Sequence, residues 1–132
     1  MSNGYADIAL AEFCQRNRLP ELRFDSQGLC HLLLDGDLPV TLRNVPQRQR
    51  VTVIVQVQPQ LPDHPSRAWL EASLSAALNP MLDDQPGLGW HPEMGVVAYA
   101  HLDQSPDTAA QLETTLAQLA EWVRDWRETH AR

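Results

Sequence analysis

The residues able to do chemistry are few and scattered. Five histidines stand at His31, His64, His91, His101 and His130, no two of them at the H-x-x-x-H spacing that sets a metal-binding pair on a helix. Cys14 and Cys30 fall in a predicted helix and a predicted strand. They read as buried thiols of a reducing compartment rather than a disulfide, because a chain of this size needs no staple. A zinc set of Cys14, Cys30 and one histidine is the single metal arrangement the residues leave open. Asp83-Asp84 reads as a solvated turn, with no third group at a spacing that would tune a carboxylate dyad. Gly87-Leu88-Gly89 is too short to cradle phosphate, and a strand follows where that motif requires a helix. All ten basic residues are arginine, which removes Schiff-base lysine chemistry and the P-loop lysine. The expectation is a protein that is not an enzyme, with no catalytic residue, no metal and no cofactor.

Charge narrows the partners. Seventeen acidic residues against ten basic ones give a net charge of -7 and argue against nucleic acid and anionic membrane, both of which require a basic surface. No apolar run approaches the roughly 20 residues of a membrane span. Met1 to Tyr5 lacks the charged and apolar regions of a signal peptide, so a cytoplasmic protein is expected. At 132 residues and 43% apolar content, one core and one domain over 1–132 are expected.

The scaffold is organised around Arg50 to Gln58. Val51, Val53, Val55 and Val57 fall on one face of a strand, with Thr52, Ile54, Gln56 and Gln58 on the other. The valine face needs a cover, and the amphipathic segments at the two chain ends are its suppliers. Tyr5 to Arg16 carries Ala6, Ala9, Leu10 and Phe13 on one stripe. Ile8 lies off that stripe, either as an isolated apolar residue or as a partner contact. At the other end Leu112, Leu116, Leu119, Val123 and Trp126 form the strongest helical stripe, opened by a Ser105 cap and Pro106 at the first helical position.

Between them, Leu22 to Asp25 and Leu29 to Leu34 read as a hairpin turning at Ser26-Gln27-Gly28, with Val40 to Arg43 as the next strand. Asn44 to Gln49 reads as a polar connection and Pro59 to Pro65 as a rigid crossover. Ser66 caps a second helix that runs to Leu78 and is ended by Asn79-Pro80. Its stripe of Leu70, Leu74, Ala77 and Leu78 is narrow and the rest is small, which suits close approach either to the sheet or to the same helix of a second subunit. Met81 to Gly89 reads as a loop, with Leu88 to Trp90 and Met94 to Leu102 as the final strands. The fold class expected is α+β, a single domain with a twisted antiparallel sheet flanked by N- and C-terminal helices and a short middle helix.

This order in a small acidic protein resembles the class I chaperones of bacterial type III secretion. Gly28-Leu29-Cys30-His31-Leu32 is similar to that family's hairpin strand. Leu78-Asn79-Pro80-Met81-Leu82 through Gly87-Leu88-Gly89-Trp90 into Val96 to Leu102 is similar to its second helix, loop and final strand pair. The resemblance implies a homodimer that binds an N-proximal segment of a cognate secreted effector, keeps it non-globular and delivers it to the secretion apparatus. The secretion ATPase or sorting components are then further partners. It also implies a dimer contact through Leu70, Leu74, Leu78 and Trp90, and client grooves on the first helix and the sheet.

The residues themselves supply the client surface. With helices on the valine face, Leu29, Leu33, Ile54 and Tyr99 remain on the opposite side, joined by Ile8 on the first helix. A leftover apolar face is a binding surface unless a second subunit or a loop covers it. The acidic composition favours a client with basic stretches. Two other classes fit the same text: an adaptor or regulator of this fold unconnected with secretion, and a small ligand-binding protein built on His101, Tyr99 and Trp90.

Overall fold

The computed structural model describes residues 5–83, 85–103, 105 and 107–130. The chain runs α1 (Tyr5–Arg16), β1 (Leu29–Leu34), β2 (Leu38–Val45), a 3-10 turn at Pro46–Arg48, β3 (Arg50–Gln58), α2 (Arg67–Ala76), α3 (Asn79–Leu82), β4 (Gly87–His91), β5 (Gly95–Asp103) and α4 (Thr108–His130). The five strands form one antiparallel sheet in the order β1-β2-β3-β5-β4, with the valine strand at its centre.

Period-two alternation gives the sheet two unlike faces. Along one, Cys30, Leu42, Val53 and Ala100 lie in register, and Leu32, Val40, Val55, Ala98 and Leu88 form the next row. All but Leu32 and Ala100 are buried, and both of those pack against the same core cluster. The strongest helical stripe of the sequence closes over it. Leu112, Leu116, Leu119, Val123 and Trp126 are all buried, and α4 lies across β3 and β5. α1 reaches the same core beside α4 through Leu10, Phe13 and Cys14. At the end of α1, Arg16 Nη2 sits 2.9 Å from Glu113 Oε2 on α4, and Asn17 Nδ2 donates to Glu113 Oε1 at 3.2 Å. A bulge between Gln56 and Gln58 interrupts the β3–β5 ladder. There Arg127 of α4 donates to the carbonyls of Val57 at 2.6 Å and Gln56 at 3.3 Å, pinning the helix end to the sheet.

Several expectations about boundaries are corrected. Leu22 to Asp25 forms no strand. The Asp25 carboxylate accepts from the amides of Gln27 at 2.8 Å and Leu29 at 2.9 Å, and Gly28 takes φ +78°, so the chain turns sharply into β1, joined to it by the Asp25 amide, which donates to the Leu29 carbonyl at 2.8 Å. Leu22 and Phe24 still pack on the core as an extended flap. β2 begins at Leu38 and ends at Val45, longer than Val40 to Arg43, because both its neighbours supply ladder partners there. Ser66 caps α2 as expected, its hydroxyl accepting from the Trp69 amide at 3.0 Å, but the helix stops at Ala76. Asn79-Pro80 then opens the one-turn α3, with proline in the first turn where no amide is needed, in place of a loop from Met81. Pro106 lies outside the described residues. Thr108 Oγ1 ties the entry to α4 by accepting from the Ser105 amide at 2.7 Å and donating to the Ser105 carbonyl at 2.6 Å.

Candidate functional site: an open sheet face and an apolar edge

Among the described residues no helix packs on the other face of the sheet. His31, Thr41, Ile54, Tyr99 and Gly87 form one transverse row, and Leu29, Arg43, Thr52 and His101 form the next. Four of the five residues assigned to client binding, Leu29, Leu33, Ile54 and Tyr99, therefore share one surface. Leu33 is 57% exposed. Ile54, at the centre of the sheet, is half-buried between Thr41 and Tyr99. The fifth, Ile8, is 56% exposed on α1, on the helical side of the molecule.

The geometry of this face is held by its own side chains. Thr52 Oγ1 lies 2.9 Å from His101 Nδ1, and His31 Nδ1 lies 3.0 Å from Thr41 Oγ1. Cross-strand pairs of this kind lock ring orientations across the ladder. Burial, then the nearby Arg50 guanidinium, lowers the His101 pKa, so the imidazole is held neutral over a wider pH range. The Tyr99 ring leans over Gly87, where a Cβ would come within 2.6 Å of its Cζ, so only glycine lets tyrosine lie flat there.

The remaining candidates fall on a second surface. α2 and α3 pack on β4, and these elements expose Leu70, Leu74, Leu78 and Trp90 together. Met81 and Leu82 of α3 extend the patch and are 82% and 74% exposed. Reading Met81 to Gly89 as a loop hid them; the signal was Pro80 followed by two large apolar residues, a one-turn helix with its apolar side outward. Six large apolar side chains on one edge exceed the scattered exposure normal for a small protein. By strand parity Trp90 lies with Val96 on the helical side while Tyr99 and His101 lie on the open side, so these three do not converge on one ligand pocket. Among the described residues no group of three metal-ligating side chains comes together. Cys14 and Cys30 are buried free thiols, and burial raises the Cys30 pKa, keeping it protonated and unreactive.

A third feature is a groove of about 490 Å³ between α1, α4 and the β1–β2 turn. Phe13, Leu116 and Ala120 form its floor, and Glu113, Glu121 and Asp125 stand on its rim. Arg124 closes one end by pairing with Asp35 at 3.1 Å and Asp37 at 3.3 Å.

A helix-backed sheet with one open face of mixed apolar and polar side chains and an apolar edge is the build of a small protein that holds macromolecular partners on its surfaces. Residues 9–127 match the model of the Tir chaperone protein (CesT) family, and the chain belongs to that family. A chain from the HopA1–SchA chaperone–effector complex superposes with a TM-score of 0.79 at 30% identity, over 94% of both chains. A chain from the ExsC–ExsE complex gives a TM-score of 0.77 at 26% identity, covering 95% of this chain and 92% of its own. The Yersinia pestis type III secretion chaperone SycH, solved with a stable fragment of YscM2, shares the fold with a TM-score of 0.71 at 16% identity, over 92% of this chain and 98% of that one. No curated protein sequence matches the chain. No described helix is long and apolar enough to cross a membrane.

Proposed function

We propose that this protein is a type III secretion chaperone that acts in the bacterial cytoplasm as a homodimer, by binding alone and without catalysis. Each protomer holds an N-proximal segment of one secreted effector in a non-globular state and presents it to the secretion apparatus. The observation that carries this reading is the row Thr41, Ile54 and Tyr99 on a helix-free sheet face, in a chain whose family is a chaperone family. A disordered client must offset an ordering cost of roughly 2–5 kcal/mol or more, and an apolar sheet face with a rigid polar frame supplies burial without reorganising the chaperone. Ile8 on α1 extends the client track round to the helical side.

The edge patch of Leu70, Leu74, Leu78 and Trp90, enlarged by Met81 and Leu82, is the dimer contact. A two-fold interface is self-complementary, so one apolar patch suffices for both subunits. The test is genetic and biochemical. Deleting the gene should leave one effector unsecreted and degraded or aggregated in the cell while other effectors are exported. Unchanged export of every effector overturns the proposal.

A further inference from the structure

The molecule is acidic, yet its open sheet face is not. Among the described residues Asp103 is the one carboxylate at a strand position on that face, and it lies 3.9 Å from Arg50. Against it stand Arg43, in the row of Thr52 and His101, and Arg50, in register with Asp103 itself. The acid is elsewhere, as on the rim of the α1–α4 groove. Arg43 is exposed and lies in register with Thr52 and His101, beside the row of Ile54 and Tyr99. Burial is the main cause of the lowered His101 pKa; Arg50 lowers it further and Asp103 opposes it. Asp25, at the entry to β1, interacts with His31, and its oxygen is committed to the amides of Gln27 and Leu29.

From this placement, and resting on the client-binding reading above, we infer that the client segment crossing the open face is an apolar stripe bordered by carboxylates, not by basic residues. The composition of the whole chain points the other way, towards basic clients. The local surface decides because charges beyond about 8 Å are screened at physiological salt. Five strands about 4.8 Å apart make a face about 19 Å wide, the length of about 13 residues of helix. An amphipathic helix of three to four turns lays its leucine face on Leu33, Ile54 and Tyr99 and its acidic flank along Arg43.

The probes are two synthetic helical peptides with the same leucine stripe, one flanked by glutamates and the other by arginines, titrated by fluorescence anisotropy at 0.15 M salt. The glutamate peptide should bind about fivefold more tightly, the scale of two exposed ion pairs. Arg43→Glu should abolish or reverse that preference, and Ile54→Asp should abolish binding of both peptides. Equal or tighter binding of the arginine peptide, still lost in Ile54→Asp, overturns the inference and leaves the client face standing. Binding of neither peptide, or binding indifferent to Ile54→Asp, overturns both.

Discussion

Leu74→Asp should separate the dimer while leaving each protomer folded. Leu74 is 71% exposed in the protomer, so little of its side chain supports the core and the substitution leaves the fold intact. In the dimer that exposed share would be buried, recovering about 1–2 kcal/mol of the 1.5–3 kcal/mol a fully buried leucine contributes. Two-fold symmetry counts the loss twice, about 2–4 kcal/mol per dimer, which raises the dissociation constant about 30- to 700-fold. Placing a carboxylate in an apolar contact adds a desolvation cost in the same direction. Sedimentation equilibrium across a concentration series reads the constant directly, and far-UV circular dichroism checks the fold. A Leu74→Asp variant that stays dimeric at wild-type concentrations refutes the assignment of the α2–α3–β4 edge. A variant that unfolds shows that the patch is needed by the protomer itself.

Ile54→Asp should leave a folded dimer that no longer retains its effector in co-purification; loss of the fold would mean the side chain is core and the client face is misplaced. Leu119→Ala, on the buried stripe of α4 and 1% exposed, should cost about 2–5 kcal/mol in urea unfolding, and a loss under 1 kcal/mol would contradict the packing of α4 on the sheet. The Glu113 carboxylate is held below its usual pKa by hydrogen bonding from Arg16, so its contribution is present above the unfolded value of about 4.3 and is lost as pH falls through the lower folded value. Glu113→Gln should therefore destabilise at pH 7 and lose its effect in acid once the folded-state carboxylate is protonated, while a gap independent of pH would exclude the Arg16 pair as its source. Gly87→Ala should tilt the Tyr99 ring, seen as a changed tyrosine signal in NMR, and weaken client binding with little effect on dimerisation.

What could be read from the residues follows from how local the information is. β3 was readable end to end because four valines at period two over-determine one face, and α4 because its apolar stripe runs five residues deep at 3.6-residue spacing. The open face was readable too, since strand parity fixes which residues share a side. The register was not. That Ile54 sits between Thr41 and Tyr99, and Thr52 beside His101, depends on pairings between distant segments. The same holds for the long-range ties, Arg16 to Glu113 and Arg127 to the bulge carbonyls, which join residues some 70 to 97 positions apart. The turn at Ser26-Gln27-Gly28 is present, but a turn alone does not make Leu22 to Asp25 a strand: the Asp25 carboxylate takes the amides of Gln27 and Leu29, and the Asp25 amide bonds the Leu29 carbonyl at the turn itself. Met81 and Leu82 were lost to the apolar edge because proline was read as a stop signal when here it also opens α3. Net charge is silent about the client face, since a sum over the chain carries no information about where the carboxylates fall.

The central claim is that one secreted effector is held through an N-proximal, non-globular segment. Affinity capture of the tagged protein from its own host under secretion-inducing conditions, followed by mass spectrometry and limited proteolysis of the complex, tests it most directly. One stoichiometric larger partner is expected, with a protected fragment that maps near its N-terminus and is lost with Ile54→Asp. Capture of several folded cytoplasmic proteins, or of nothing, would contradict it.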